Sequence, residues 1–463
     1  MSAPPFALTA REMADAFGGV LQPGAADVSL PTVSIDTRTL RPGDLFVAIR
    51  GPRFDGHHFV ADAIARGAAA VVESDAASVT STAVPVIVVD DTLHGLQEAA
   101  RVIRRRAAST VVAITGSAGK TTTKEIAATL LAQRYTTFRN RGNLNNHLGL
   151  PLSLFELHTA PQYAVMELGM SGFGEISRLV AIAEPQVRVW TNVGDAHLGF
   201  FTSEDAIAIA KQEVLEGATR DTVFVANAAD PRVIARASTF PGTVVTFGVG
   251  VPADVSISDV QPRGTDGTAA TMSVAGESRP FETRLIGTAN LANIAAASAV
   301  AVSSGLSADD IVSGIAALAP APHRGEVVQA PGGWTVIDDA YNSSPAALMR
   351  ALETLATSRG RTVAVLGEML ELGSFAEQYH ARCGNAAGQR GVAALVAVGG
   401  APARALADAA QAAGVPAVHY AADSQAGAAI ARTIVQPGDT VLVKGSRGVK
   451  MEVVVQALTE AVA

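Results

Sequence analysis

The sequence predicts an α/β protein of several domains that contains two doubly wound parallel sheets. Three observations carry this. The chain has 463 residues, about three typical domain lengths. From Thr110 onward, short apolar strands alternate with helix-like stretches, the pattern of a parallel sheet covered on both faces. The alternation then restarts beyond Pro320-Ala-Pro-His-Arg-Gly325, a stretch punctuated by prolines and a glycine.

The elements fall into three blocks. In residues 1–108, strands are expected at Leu45–Ile49, Ala69–Val72 and Val86–Val89. A helix over Leu93–Ala108 leads out of the block, and its Arg101, Arg104, Arg105 and Arg106 read as a solvated face. In residues 109–320, the strand Val111–Ile114 feeds a Gly-rich turn and a helix over Thr121–Gln133. Further strands are expected at Tyr163–Leu168, Val187–Thr191 and Thr222–Ala226. In residues 321–463, strands at Thr335–Asp338, Thr362–Leu366, Val392–Val398 and Thr440–Lys444 alternate with helices at Ala346–Thr357, Glu377–Gln389, Ala403–Ala413 and Gln425–Val435, a second doubly wound unit.

Composition narrows the function. Hydrophobic residues make up 48% and charged residues 17%, which excludes a disordered chain. The most apolar segment, Leu291–Val302, is too short to span a bilayer. A net charge of −8 opposes nonspecific nucleic-acid binding. The lone Cys383 rules out an intrachain disulfide and a cysteine metal cluster. The opening Met-Ser-Ala-Pro-Pro lacks a signal-peptide pattern, so a cytoplasmic enzyme is expected, with no membrane insertion. Only five of the 35 basic residues are lysines: Lys120, Lys124, Lys211, Lys444 and Lys450. So strong an arginine bias directs attention to places where a primary amine is needed.

The strongest local signal is Val111-Val-Ala-Ile-Thr-Gly-Ser-Ala-Gly-Lys-Thr-Thr-Thr-Lys124. A strand ends in Gly116-Ser117-Ala118-Gly119, and Lys120, Thr121 and Thr122 open a helix. Glycines let backbone N–H groups approach phosphate oxygens, Lys120 can reach the terminal phosphates, and Thr121 offers a hydroxyl to Mg²⁺. Ile114 stands where the full phosphate-loop pattern has glycine, so the loop is a shortened variant. Glu167 ends the next strand and is either a Mg²⁺ carboxylate or a surface residue. His197 lies in the glycine-bracketed loop after Val187–Thr191, and position alone raises it above a structural histidine. Lys211, read alone, is an ordinary helix-surface lysine. Asn290 and Asn293 share a helix face and either read a base edge or cap the helix. Asp339 leaves a strand where a carboxylate can hold a ribose hydroxyl, while Asn342 or Ser344 can start the next helix.

Taken in order, these residues resemble the Mur ligase family of peptidoglycan synthesis over nearly the whole chain. Further landmarks are Asp36-Thr-Arg38, Gly43-Asp-Leu-Phe46, Phe54-Asp-Gly-His57, Asn143-Leu-Asn-Asn146, Thr191-Asn-Val-Gly-Asp-Ala-His197, Leu366-Gly-Glu-Met-Leu-Glu-Leu-Gly373 and Val443-Lys-Gly-Ser-Arg-Gly448. Two departures are Ala340, where serine is common, and Ser343-Ser344 in place of Ala-Asn; neither removes a proposed ligand.

The resemblance implies a three-domain architecture: residues 1–108 for the UDP-sugar substrate, a central P-loop ATPase domain at 109–320, and a C-terminal Rossmann-like domain at 321–463. It implies ATP-dependent amide formation through an acyl phosphate by a monomeric enzyme. The substrates are UDP-MurNAc-tripeptide and D-Ala-D-Ala; the dipeptide acceptor is favoured because the Asp-Asn-Pro-Arg motif for diaminopimelate is absent. It assigns Thr121 and Glu167 to one Mg²⁺ and His197 to a second, with Lys211 carbamylated by CO₂ as an anionic ligand. It assigns Asn290 and Asn293 to the adenine region, Arg324 to the γ-phosphate and Asp339 to the ribose. Thr37, Arg38 and the Asp55-Gly56-His57 turn match the UDP end, and Asn143, Asn145 and Asn146 a substrate-facing loop.

Overall fold

A computed structural model describes residues 5–22, 26–74, 84–142, 144–195, 199–201 and 203–460. The chain forms two compact units, Met1–Ile114 with Arg134–Arg188, and Thr115–Gln133 with Val189–Ala463.

In the first unit a five-stranded sheet runs in the order Val20–Leu21, Val86–Val88, Ala70–Glu73, Leu45–Val47, Val33–Ser34. All neighbours are parallel except Val20–Leu21, which pairs antiparallel with Val86–Val88. Phe46, Val71 and Val86 pack with Val60 and Ala63 of the helix Val60–Ala65. Asp91 caps the helix Thr92–Ala107 by accepting the Leu93 and His94 N–H groups. A second group of strands, Thr110–Thr115, Tyr163–Glu167 and Thr137–Arg139, is parallel, with Tyr163–Glu167 in the middle.

The expected solvated arginine face holds only in part. Arg104 is buried, and its guanidinium donates to the Ala183 and Glu184 carbonyls and to Gln186 Oε1 at 2.8–2.9 Å. It thereby satisfies carbonyls at the end of the helix Glu175–Ala183. Those partners lie about 80 residues away in sequence, so spacing along its own helix could not reveal them. Arg105 and Arg106 do face solvent, paired with Glu184 and Glu12.

In the second unit, Val223–Asn227, Thr243–Val249 and Val255–Pro262 pair in parallel. Two further strands, Thr268–Val274 and Glu277–Thr283, then add antiparallel, so this block is not wholly parallel. The hairpin turns on Ala275 and Gly276, both at positive φ, as a two-residue hairpin loop requires. The apolar segment Leu291–Val302 lies inside the helix Thr288–Ser303, whose residues from Ile294 through Ala301 are almost wholly buried. Among the described residues no helix is long and apolar enough to cross a membrane.

A six-stranded sheet in the order Glu326–Gln329, Thr335–Asp339, Thr440–Lys444, Thr362–Gly367, Ala394–Val398, Ala417–Ala421 follows, parallel apart from its first strand. Its residues alternate between two cores. Ala364, Leu366 and Leu395 pack with Leu348, Leu352 and Leu406 on one face; Val363, Val365 and Val396 pack with Met451 and Val454 on the other. Ser344 caps the helix Pro345–Ala356, which settles which residue starts it. The carboxyl ends of the central strands carry Asp339 and Lys444 in register.

Candidate functional site

The helix Lys120–Leu131 starts at Gly119, in the left-handed region at φ 83°, with no side chain capping its N-terminus. The positive end of the helix dipole therefore points at the loop, where it favours an anion. Both glycines are required by close approach. A Cβ on Gly116 would lie 1.9 Å from Thr191 Oγ1, and one on Gly119 would lie 2.2 Å from Asn293 Oδ1. Lys120 curls back over the loop, donating to the Gly116 carbonyl at 2.7 Å. Thr122 lies in the helix's first turn.

A second loop, Thr191–Asp195, holds this one in place. Asn192 Oδ1 accepts the Ala118 N–H at 2.9 Å, Thr191 donates to the Ala118 carbonyl at 2.7 Å, and the Gly194 N–H donates to Ser117 Oγ at 2.9 Å. Asp230 anchors the second loop through the Val193 N–H, and Asn227 through the Thr191 carbonyl. Asp195 then accepts the Ala346 N–H at the start of the helix Pro345–Ala356, and burial raises its carboxyl above the usual range. Sequence reading gave no role to Asn192 or Asp230; their contribution is hydrogen bonding to backbone, which leaves no spacing signature.

Asn290 and Asn293 lie inside the helix Thr288–Ser303 and do not cap it as its N-cap residue, which is Gly287. Asn290 donates to the Ile286 carbonyl. Asn293 is buried, and its Oδ1 accepts from the Thr123 hydroxyl beside Gly119. Arg324 donates to Thr121 Oγ1 at 3.0 Å and lies 4.0 Å over the Tyr341 ring. Asp339 accepts from Lys444 Nζ at 2.6 Å, and Lys444 also donates to the Asn342 carbonyl. The structure thus brings Gly116 to Thr122, Asn293 and Arg324 together around one loop.

Lys211 overturns the surface reading. It sits on the helix Glu204–Gln212 with 1% of its area exposed. Burial and then the Lys120 cation hold its amine well below the usual lysine range. Of the five lysines, Lys124, Lys211 and Lys444 are buried and Lys120 is half-buried; only Lys450 is exposed.

In the first unit, Glu167 is buried at the end of its strand. Asn145 donates to its Oε1 at 2.8 Å, and its own N–H donates to Asn140. Asn146 Oδ1 accepts the N–H of Gly149, the first residue of the helix Gly149–Phe155, at 2.8 Å. Arg66, whose Nε donates to Asp62 Oδ2 at 2.9 Å, and then the Thr37 hydroxyl lower the Asp62 carboxyl. Arg38 is exposed and forked onto Asp36, with Nη2 at 2.6 Å from Oδ2. In the short Gly56–Phe59 turn, Asp55 engages both the backbone and the ring of His57, whose Nε2 faces Glu73 at 3.0 Å. These hydrogen bonds hold the Asp55 carboxyl far below its usual range. Asn143 and His197 lie outside the described residues.

Among the described residues no three His, Cys, Asp or Glu side chains cluster as a ready metal site. The hydroxyl of Thr121 and the buried carboxylate of Glu167 are hard oxygen donors of the kind Mg²⁺ takes, alongside nucleotide phosphate oxygens. An unmodified Lys211 amine is not such a donor.

Three family models cover the chain in turn: "Mur ligase family, catalytic domain" over residues 30–109, "Mur ligase middle domain" over 114–301, and "Mur ligase, glutamate ligase domain" over 323–447. The chain is 34% identical to the UDP-N-acetylmuramoyl-tripeptide--D-alanyl-D-alanine ligase of Escherichia coli K12, over 98% of each chain. The chain belongs to the Mur ligase family. Among solved Mur ligases, it superposes on MurF from Acinetobacter baumannii with a TM-score of 0.90 at 30% identity, covering 99% of this chain and all of that one. It also matches a Thermotoga maritima MurF ligase in complex with ADP, at a TM-score of 0.83 and 29% identity over 92% and 97% of the two chains. The family is ATP-dependent, and the bound ADP in that relative agrees with a nucleotide at the Gly116–Thr121 loop.

Proposed function

We propose that this chain joins D-alanyl-D-alanine to UDP-N-acetylmuramoyl-tripeptide in an ATP-dependent ligation that passes through an acyl phosphate. The observation that carries the reading is the phosphate loop with Lys120 folded over it and Arg324 on its Thr121. End-to-end likeness to ligases that bear this activity in their names supports the choice of substrates.

Attack of a carboxylate on a γ-phosphate brings two anions together. Lys120 and Arg324 offset that repulsion, and the N–H groups at the start of the helix Lys120–Leu131 take phosphate oxygens. ADP leaves, the acceptor amine adds to the acyl carbon, and inorganic phosphate departs as the amine sheds its proton. Mg²⁺, when bound through Thr121 and Glu167 at one site and His197 at a second, supplies further charge neutralisation at the transferring phosphoryl group.

On this reading Lys211 carries a carbamate. A neutral amine adds to CO₂ and releases one proton, giving an anion in place of a cation next to Lys120. Burial and that neighbour favour the neutral amine. Asn290 and Asn293 border the adenine region and Asp339 the ribose. Thr37, Arg38, Asp55, Gly56 and His57 hold the UDP end, with Asn143, Asn145 and Asn146 facing the substrate. The work divides among domains at 1–108, 109–320 and 321–463, a division supported by the three consecutive family segments. Both substrates are small molecules, and on this reading the enzyme works as a monomer in the cytoplasm.

The test is phosphate release with UDP-MurNAc-tripeptide, with and without D-Ala-D-Ala, together with mass spectrometry of the product. A pentapeptide product formed only with both substrates and ATP is expected. ATP hydrolysis independent of the UDP-linked peptide, with no amide product, overturns the reading in favour of a nucleotide-driven switch.

A further inference from the structure

The strand Thr440–Lys444 ends in the turn Arg447–Val449, where Arg447 is exposed. No carboxylate among the described residues pairs with it. Its guanidinium lies 5.1 Å from the centre of the Tyr341 ring, which also carries Arg324 at 4.0 Å. Because both distances are measured to one ring, the two guanidinium carbons are no more than about 9 Å apart. Arg324 is committed to the phosphate loop through Thr121. Arg447 is not so committed, and its exposed guanidinium is placed to take an anion.

The acceptor of an amide ligation supplies that anion. Its amine must reach the acyl carbon at the phosphate end, and a peptide acceptor ends in a carboxylate. Two extended residues span about 7 Å, which fits inside the limit of about 9 Å that the shared Tyr341 ring sets on the separation of the Arg324 and Arg447 guanidinium carbons. The neighbouring surface suits small apolar side chains. Leu370 is 44% exposed, its Cδ1 is 2.8 Å from where a Cβ on Gly448 would stand, and its N–H donates to Ser446 Oγ at 2.9 Å. That hydrogen bond ties the Leu370 turn to the Arg447 turn.

We infer that Arg447 binds the terminal carboxylate of the acceptor dipeptide and that Leu370 lies against its last methyl side chain. The inference rests on the ligase reading above. It makes Arg447 a specificity residue for the acceptor, where the sequence motif Val443-Lys-Gly-Ser-Arg-Gly448 had suggested no role.

The experiment compares D-Ala-D-Ala with D-alanyl-D-alaninamide as acceptors for the wild-type enzyme, Arg447→Ala and Arg447→Lys, with all three substrate KM values measured. Loss of a charge-assisted hydrogen bond should raise the KM for D-Ala-D-Ala about tenfold or more in Arg447→Ala. The KM for ATP and for the UDP-linked substrate should stay unchanged, and the preference of the wild-type enzyme for the free acid over the amide should disappear. Arg447→Lys should keep part of that preference. Persistence of the full acid preference in Arg447→Ala overturns the inference while product formation leaves the ligase reading standing. A rise in the KM for ATP in place of the acceptor KM overturns it too, by moving Arg447 to the nucleotide. Failure of the wild-type enzyme to make any product from either dipeptide removes the ligase reading and this inference together.

Discussion

Arg324 Nη2 donates to Thr121 Oγ1 at 3.0 Å while its guanidinium lies over the Tyr341 ring. One side chain from beyond the Pro320 boundary therefore meets the first turn of the phosphate-loop helix. A lysine at 324 would keep a positive charge but lose the planar face on the ring and the forked donors. Arg324→Lys should lower kcat by about 10²-fold, as removal of one positioned electrostatic donor does, with little change in unfolding midpoint. Steady-state kinetics beside a thermal melt check this; an unchanged kcat would detach Arg324 from the transferring phosphate.

Lys120 presents a different case, because its Nζ is parked on the Gly116 carbonyl. That position stores the amine within reach of the loop. Lys120→Ala should reduce turnover by at least about 10²–10³-fold at saturating ATP. Near-normal activity under those conditions contradicts the phosphate-loop assignment.

Much of this arrangement was legible in the sequence, and the exceptions share a cause. The alternation of strand and helix located every strand of the C-terminal block except Ala417–Ala421 and the edge strand Glu326–Gln329. The Gly116–Thr121 loop was legible because its chemistry is local: glycines, a lysine and a threonine at fixed spacing. Arg104 was misread because its partners are far away in the chain, and Lys211 because burial by other elements is invisible in a plain helical string. The antiparallel strands Thr268–Val274 and Glu277–Thr283 were missed because their turn, Ala275-Gly276, lacks the asparagine or aspartate that marks most such hairpins. The lysine count was informative: scarcity pointed to Lys444, whose pairing with Asp339 emerges only from parallel register.

Arg38 tests the N-terminal block. It is exposed and held by Asp36, poised toward solvent with its charge intact. Arg38→Ala should raise the KM for the UDP-linked substrate more than the KM for ATP, since a diphosphate contact is lost. Equal increases in both, or a change confined to ATP, would move Arg38 out of the UDP site.

His380 gives the fold a pH dependence. Its Nε2 accepts the Met369 N–H at 2.8 Å, and its Nδ1 donates to the Ala376 carbonyl at 2.7 Å, so the buried ring is neutral. Burial lowers its pKa from 6.5. In the unfolded chain the ring takes a proton near 6.5, while the folded ring resists until lower pH, so the unfolded state binds more protons in that window. The stabilisation is complete above 6.5 and is lost as pH falls toward the folded pKa. Urea unfolding between pH 7.5 and 5 (about the histidine range) should show stability falling with acidification, and His380→Gln should flatten that slope. Parallel slopes in both proteins would assign the acid sensitivity elsewhere.

Lys211 separates three chemistries. As a carbamate it supplies an anion, so Lys211→Ala should be nearly inactive and partly rescued by formate or acetate, which can occupy the vacated space and restore negative charge. As an unmodified phosphate-binding cation it predicts the reverse, rescue by small amines and none by carboxylates. As a purely structural residue it predicts a stability loss with turnover retained in the folded fraction. The structure weighs against the second: the amine is buried, Lys120 is the charged neighbour that lowers its pKa, and holding two cations together away from water is costly. The same features favour the neutral amine, the form that adds to CO₂. Depleting bicarbonate from the wild-type buffer should therefore slow the enzyme and restoring it should recover the rate, while Lys211→Ala with acetate should be indifferent to bicarbonate. A fully active Lys211→Ala enzyme, or rescue confined to amines, would sink the carbamate assignment.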